Sequence, residues 1–178
     1  MALLRRWKPL LAATAVVLAV ANLIEQFVLR PKAGDLPSLD FRILGFTTAE
    51  AQDWLDKLDS HGGGRWAAIW LHYATIDLVL PALLVLTLAS MIVLFGSRLA
   101  GFAAYTPKAQ ALIAIGLALP YGVLDYAQNI AVLRLLNAPG PVSDGAVSLA
   151  SGLNVAKFAL LFVPLLVIAV LALAGHKR

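Results

Sequence analysis

The sequence predicts an all-α integral membrane protein, a single bundle of four transmembrane helices over residues 1–178. Three observations carry this. Of its residues 61% are hydrophobic and only 13% charged, with a mean hydropathy of +0.84. A soluble domain carries about 25% charged residues, so this chain lacks the polar surface to coat a globule in water. The apolar residues also fall into four blocks, near 10–29, 66–95, 109–133 and 147–174. Each reaches the ~20 residues that cross a hydrocarbon core as a helix. The blocks use most of the chain and leave no separate soluble domain.

The first block has a basic start (Arg5, Arg6, Lys8) and an Ala19-Val20-Ala21 stretch, both features of a cleavable leader. The apolar run continues to Leu29, so it is expected to be kept as the first span. The chain has no cysteine, which excludes disulfides, thiolate metal sites and haem attached through cysteine. Its net charge is +4, but no basic stripe with interleaved aromatics points to nucleic acid.

Charge asymmetry predicts orientation. Short cytoplasmic segments are enriched in Lys and Arg. The amino end holds Arg5, Arg6 and Lys8, the second connection Arg98 and Lys108, and the carboxyl end Lys177 and Arg178. The first connection, 30–65, has more acids than bases, and the third holds Asp144. Both termini are therefore expected on the cytoplasmic side. The first connection is expected outside, with a short helix from Ala49 to Leu58 capped by Thr47 or Thr48. Trp54, Leu55 and Leu58 share one face of it, to rest on the membrane or over the bundle mouth, either as packing or as a lid. The spans suit a bacterial inner membrane, with an endomembrane as the alternative.

The polar residues inside the spans point to a site. A charge at the bilayer centre costs at least about 2.5–3.5 kcal/mol, so such groups face the bundle interior and find partners. Glu25 lies in the first span, His72, Tyr73 and Asp77 in the second, Tyr121, Asp125 and Asn129 in the third, and Asn154 and Lys157 in the fourth. At about 1.5 Å per residue, Asp77, Asp125 and Lys157 reach a common depth of roughly 14–18 Å, with Glu25 nearer the mouth. Trp70, Tyr73 and Asp77 form one stripe, Tyr121, Asp125 and Asn129 a second, and Ser148, Ser151, Asn154 and Lys157 a third. His72 stands about 140° from Asp77 on an ideal helix. Pro81, Pro120 and Pro164 each free a backbone carbonyl within a span.

Three acids face one lysine. If Lys157 pairs with one of them, the others need a proton, hydrogen bonds from Tyr73, Tyr121 or Asn129, or a cation. Glue between helices needs only Asn, Ser and Thr, so a binding or reaction pocket is the favoured reading. Asp77 and Asp125 are its candidate acid and base groups. Glu25, His72, Tyr73, Tyr121, Asn129, Asn154 and Lys157 are its candidate ligand-binding groups, with Glu25 at the entrance. No HExxH, Walker loop or GxSxG elbow is present. No cofactor or metal is expected, because nothing in the spacing of Asp77, Asp125, Asn129 and His72 demands an ion.

Glu25 and the stretch Asp77-Leu78-Val79-Leu80-Pro81 lie in a layout that resembles the EXPERA superfamily, which includes emopamil-binding sterol isomerases and the sigma-two receptor. Those proteins are similar in size, with four helices, cytoplasmic ends and a long lumenal first connection. The resemblance implies an apolar cavity whose carboxylates receive the polar or cationic head of a sterol-like, terpenoid or amphiphilic ligand. The isomerase pattern sets a His and an acid about one turn apart, whereas His72 and Asp77 are five positions apart. The expected partner is a membrane lipid or hydrophobic small molecule, either bound only or bound and converted, by a chain free to form homo-oligomers. A proton-coupled transporter or ion pathway is the second reading, and a structural subunit of a membrane complex the third.

Overall fold

The computed structural model describes Leu4 and residues 7–175. The basic residues Arg5, Arg6, Lys177 and Arg178, used above for orientation, lie outside the described residues. Among those described there are helices and connections and no strand. Four helices are long and apolar enough to span a membrane: α1 (Trp7–Lys32), α3 (Gly64–Gly96), α4 (Pro107–Leu136) and α5 (Asp144–Gly175). The first connection carries a 3-10 turn, Leu39–Phe41, and a helix α2, Thr48–Ser60.

Each long helix outruns its apolar block, because its polar ends still find backbone partners. Pro107 opens α4 with a preset φ, and the Thr106 hydroxyl accepts from the Ala109 N–H at 3.3 Å. α2 starts with a reciprocal cap. Thr47 N–H donates to Glu50 Oε2 at 2.7 Å, and Glu50 N–H donates to Thr47 Oγ1 at 3.3 Å.

α3 is the centre of the bundle and packs against α1, α4 and α5. Gly122 lets α4 come close, since a Cβ there would stand 2.7 Å from the Val85 methyl of α3. Away from the first connection the interior is almost wholly apolar. Leu88, Ala89 and Ile92 of α3 meet Ala114 and Ala118 of α4 and Ile168 of α5. A 2.7 Å bond between the Thr14 and Thr87 hydroxyls ties α1 to α3 in this layer.

At the other end α2 lies across the bundle as a roof. Its face of Ala51, Trp54, Leu55 and Leu58 is fully buried against Leu29, Leu39, Val132, Leu136 and Val147. Burying Leu55 and Leu58 contributes about 1.5–3 kcal/mol each. The opposite face is polar, with Lys57 and Asp53 2.9 Å apart. Of the two positions expected for the Trp54 face, the bundle mouth is the one it occupies. Arg65 ties the roof to α4, pairing with Asp59 at 2.6 Å and donating to the Leu136 and Ala138 carbonyls.

Candidate functional site

Beneath this roof a continuous polar chain joins three helices, α3, α4 and α5, through the Leu39–Phe41 turn. Tyr121 donates to Asp125 Oδ2 at 2.8 Å, and Lys157 Nζ donates to Asp125 Oδ1 at 2.8 Å and to Gln128 Oε1 at 2.9 Å. Gln128 in turn donates to Asp40 Oδ1. Asp40 Oδ2 faces His72 Nε2 at 3.2 Å, and the same nitrogen faces Asp77 Oδ2 at 3.3 Å. Asp40, His72, Asp77, Asp125, Gln128 and Lys157 are all buried.

The backbone of α3 explains how His72 and Asp77 meet. Residues Ala68–Tyr73 wind in wide π turns, and Ala74 and Thr75 interrupt the helix before Ile76. This shifts the phase of the helix, so the 140° expected between the two side chains does not hold. The same shift undoes the expected stripe of Trp70, Tyr73 and Asp77, because Trp70 is 56% exposed. π bulges of this kind re-aim side chains inside otherwise regular helices.

Pro81 sets the next contact. It has no N–H to give to the carbonyl four residues earlier, which is that of Asp77. Asn129 Nδ2 takes that carbonyl at 3.1 Å. At the next residue of α3, Leu78 O accepts from the Tyr126 hydroxyl at 2.8 Å. Polar residues of α4 therefore complete the backbone that the proline leaves open.

Asp40 is the residue that sequence reasoning missed. By sequence it is one more acid of the first connection. Its turn is hung inside the bundle by two brackets. Glu25 accepts from Ser38 N–H at 2.9 Å and from Ser38 Oγ at 2.5 Å, while Arg30 Nε approaches it at 3.4 Å. Asn154 Nδ2 donates to Arg42 O at 2.8 Å and to Leu39 O at 3.3 Å. Gly45, at a φ of 89°, turns the chain so that Phe46 N–H reaches Ser151 Oγ at 2.8 Å. The available signal was Leu39-Asp40-Phe41, an acid between two large apolar residues. Burial alone would raise the Asp40 carboxyl. The Lys157 ammonium and the His72 hydrogen bond outweigh it and hold the group well below the usual carboxylate range.

A cavity of about 370 Å³ opens beside the chain. Its floor is Asp40, His72, Asp77, Tyr121, Asp125 and Lys157, and its walls are mostly apolar, from Leu18 and Ala21 of α1 to Phe158 and Leu161 of α5. Of the expected site residues, Asp77, Asp125, His72, Tyr121 and Lys157 thus line one space. Glu25, Tyr73, Asn129 and Asn154 do not line it. Glu25 is fully buried as a bracket for Ser38 rather than standing at an entrance, because the wide turns of Glu25–Leu29 swing it inward. Asn129 bonds the backbone of Asp77 rather than its carboxylate. The Tyr73 hydroxyl has no partner among the described residues, and its ring stacks edge-on to His72 at 4.9 Å. Ser148 is exposed, so the expected stripe on α5 narrows to Ser151, Asn154 and Lys157.

The chain matches no family model, no curated protein and no solved structure. What it does must be argued from the cavity itself. A dry-walled space with a charged floor can seat an apolar body and fix a polar head. The floor presents carboxylates, an imidazole, a phenol and an ammonium, so it can donate, accept or relay protons or bind a cation. Among the described residues Asp40, His72 and Asp77 are also the one group whose donor atoms lie close enough together to share an ion.

Proposed function

We propose that this protein binds a hydrophobic or amphiphilic small molecule in the cavity between α1 and α5, with its polar head on the buried cluster. The observation that carries the reading is the pairing of mostly apolar walls with a floor of ionisable residues in one space of about 370 Å³. That volume falls in the range of small-molecule pockets. α1 packs chiefly on α3, leaving the α1–α5 side as the lateral way in from lipid. Leu18, Asn22, Phe41 and Ile43 line that side and are exposed.

The orientation that fits places both termini in the cytoplasm and the α2 roof outside. Lys8, Arg98 and Lys108 then share the cytoplasmic face, in keeping with the positive-inside bias. Trp66 and Trp70 lie exposed near the roofed end, where an aromatic belt would sit at the interface. The almost wholly apolar layer of α3, α4 and α5 beyond the cluster weighs against a proton or ion pathway through a single chain. Asp77 and Asp125 are the groups placed to exchange protons with a bound head, and Lys157 keeps Asp125 paired.

The test is extraction of small molecules from purified wild-type protein and from Asp77→Asn, followed by mass spectrometry. A defined amphiphile found with the first and depleted in the second is expected. Equal bulk phospholipid in both would defeat the reading.

A further inference from the structure

The groups around His72 pose a problem of hydrogen count. Nε2 carries at most one hydrogen, yet it faces carboxylate oxygens of both Asp40 and Asp77, at 3.2 and 3.3 Å. Among the described residues Asp77 Oδ2 is buried and has no hydrogen-bond partner. The opposite nitrogen, Nδ1, is equally without one, so no bond there fixes the tautomer.

Charge poses a second problem. Lys157 is committed to Asp125, and Arg30 is the cation beside Glu25. Asp40 and Asp77 remain as two carboxylates with Lys157 3.7 Å from Asp40 Oδ1 as their nearest fixed cation. A buried unpaired charge costs several kcal/mol unless it is neutralised.

The geometry points to a bound cation: Asp40, His72 and Asp77 form a divalent transition-metal site whose remaining coordination positions face the cavity. The three donor atoms lie within 4.8 Å of one another. An ion with bonds of about 2.1 Å holds neighbouring ligands about 3.0–3.4 Å apart, whether octahedral or tetrahedral. The two spacings at Nε2, 3.2 and 3.3 Å, fall in that interval. One ion placed there satisfies the imidazole and the Asp77 oxygen together, and two positive charges balance two carboxylates with His72 neutral. The two oxygens of Asp40 are already divided between tasks. Oδ1 receives Gln128 and Lys157, which leaves Oδ2 free to ligate in a fixed orientation, the usual arrangement around a metal-binding carboxylate.

One imidazole and two carboxylates, with no thiolate, suit Zn²⁺, Mn²⁺ or Fe²⁺. Three protein ligands leave a position open, as in catalytic rather than structural sites. An ion there would act as a Lewis acid on a carbonyl or phosphoryl oxygen of a molecule in the cavity. The inference goes beyond the proposed binding of an amphiphile and does not need it, since ion content and bound amphiphile are measured separately.

The experiment is to strip the purified full chain with chelator, reload it with Zn²⁺ or Co²⁺, desalt it, and measure metal content and the visible Co²⁺ spectrum. Wild type is expected to retain about one ion per chain and to show the intense visible bands of a four- or five-coordinate cobalt site. Asp77→Asn and His72→Gln are expected to lose affinity by at least about tenfold, while Asp56→Asn, on the exposed face of α2, keeps it. Folded Asp77→Asn that binds as tightly as wild type would overturn the inference. If the variants do not fold, the metal content of the wild type decides: stripped wild type that retains no ion after reloading and desalting would overturn it equally.

Discussion

Asp40 Oδ2 lies 3.2 Å from His72 Nε2, so a residue of the first connection completes a cluster otherwise built from the spanning helices. The connection is therefore part of the site. Its position depends on Glu25 and Asn154, which hold the turn on either side of Asp40, and on α2, which closes the bundle above it.

Glu25→Ala tests the first bracket. It leaves the Ser38 N–H and hydroxyl buried without their acceptor, at about 1–3 kcal/mol for each unsatisfied group. The expected result is a lower Tm in detergent and faster proteolysis within 33–47. A Tm and cleavage pattern equal to wild type would show that the turn does not hang on Glu25.

Lys157→Met tests the central cation. Removing one partner from a buried ion pair costs about 3–5 kcal/mol, because the other charge is left uncompensated. Asp125, 2.8 Å from Lys157, and Asp40, 3.7 Å from it, would both lose their cation. Thermal unfolding should show a large loss in Lys157→Met and a substantial recovery when Asp125→Asn is added. Equal stability of the single variant and wild type would mean that Lys157 is not the charge that holds the floor together.

Orientation is open to direct labelling, because the chain contains no cysteine. Ser60→Cys lies at the end of the α2 roof and Ser97→Cys in the connection between α3 and α4, both exposed. In intact cells a membrane-impermeant thiol reagent should label the first and spare the second until the membrane is permeabilised. The reverse pattern would invert the topology.

Acid should loosen α2 at its first turn. The Thr47 backbone N–H, the Thr47 hydroxyl and the Arg42 guanidinium together hold the Glu50 carboxyl below its ordinary range. A lowered folded-state pKa stabilises above the unfolded pKa, about 4.3 for glutamate, and loses that contribution as pH falls through the lower folded value. Hydrogen exchange of the Thr48–Trp54 amides should therefore speed up below about pH 4, relative to the same amides in Glu50→Gln. The Glu50 side chain is 53% exposed, so the effect is local and small. An identical pH response in Glu50→Gln would remove the cap as its cause.

The four spans were legible because block length and apolarity alone decide them, and the face of α2 because Trp54, Leu55 and Leu58 repeat at helical spacing. Meeting points between helices were partly legible. Asp125 and Lys157 sit on regular stretches of α4 and α5, where counting residues gives depth and facing, and they pair. His72 was not placed by counting, since the wide turns of Ala68–Tyr73 reset the phase of α3. Asp40 was hidden for another reason. An acid in a polar connection carries no mark of being drawn inward, and the force that draws it in acts through Glu25 and Asn154, remote in sequence. Gln128 was visible as a polar residue of the third span, but its bridge from Lys157 to Asp40 depends on that same turn.

Native mass spectrometry of the wild type and of Leu18→Trp tests the central claim most directly. Leu18 lines the cavity from α1 and is 46% exposed, so a larger side chain there fills the mouth without crowding the core. The account expects wild type to leave its detergent micelle with one discrete amphiphile bound, and Leu18→Trp to leave without it at unchanged Tm. The same unselective spread of phospholipid adducts on both would contradict the account.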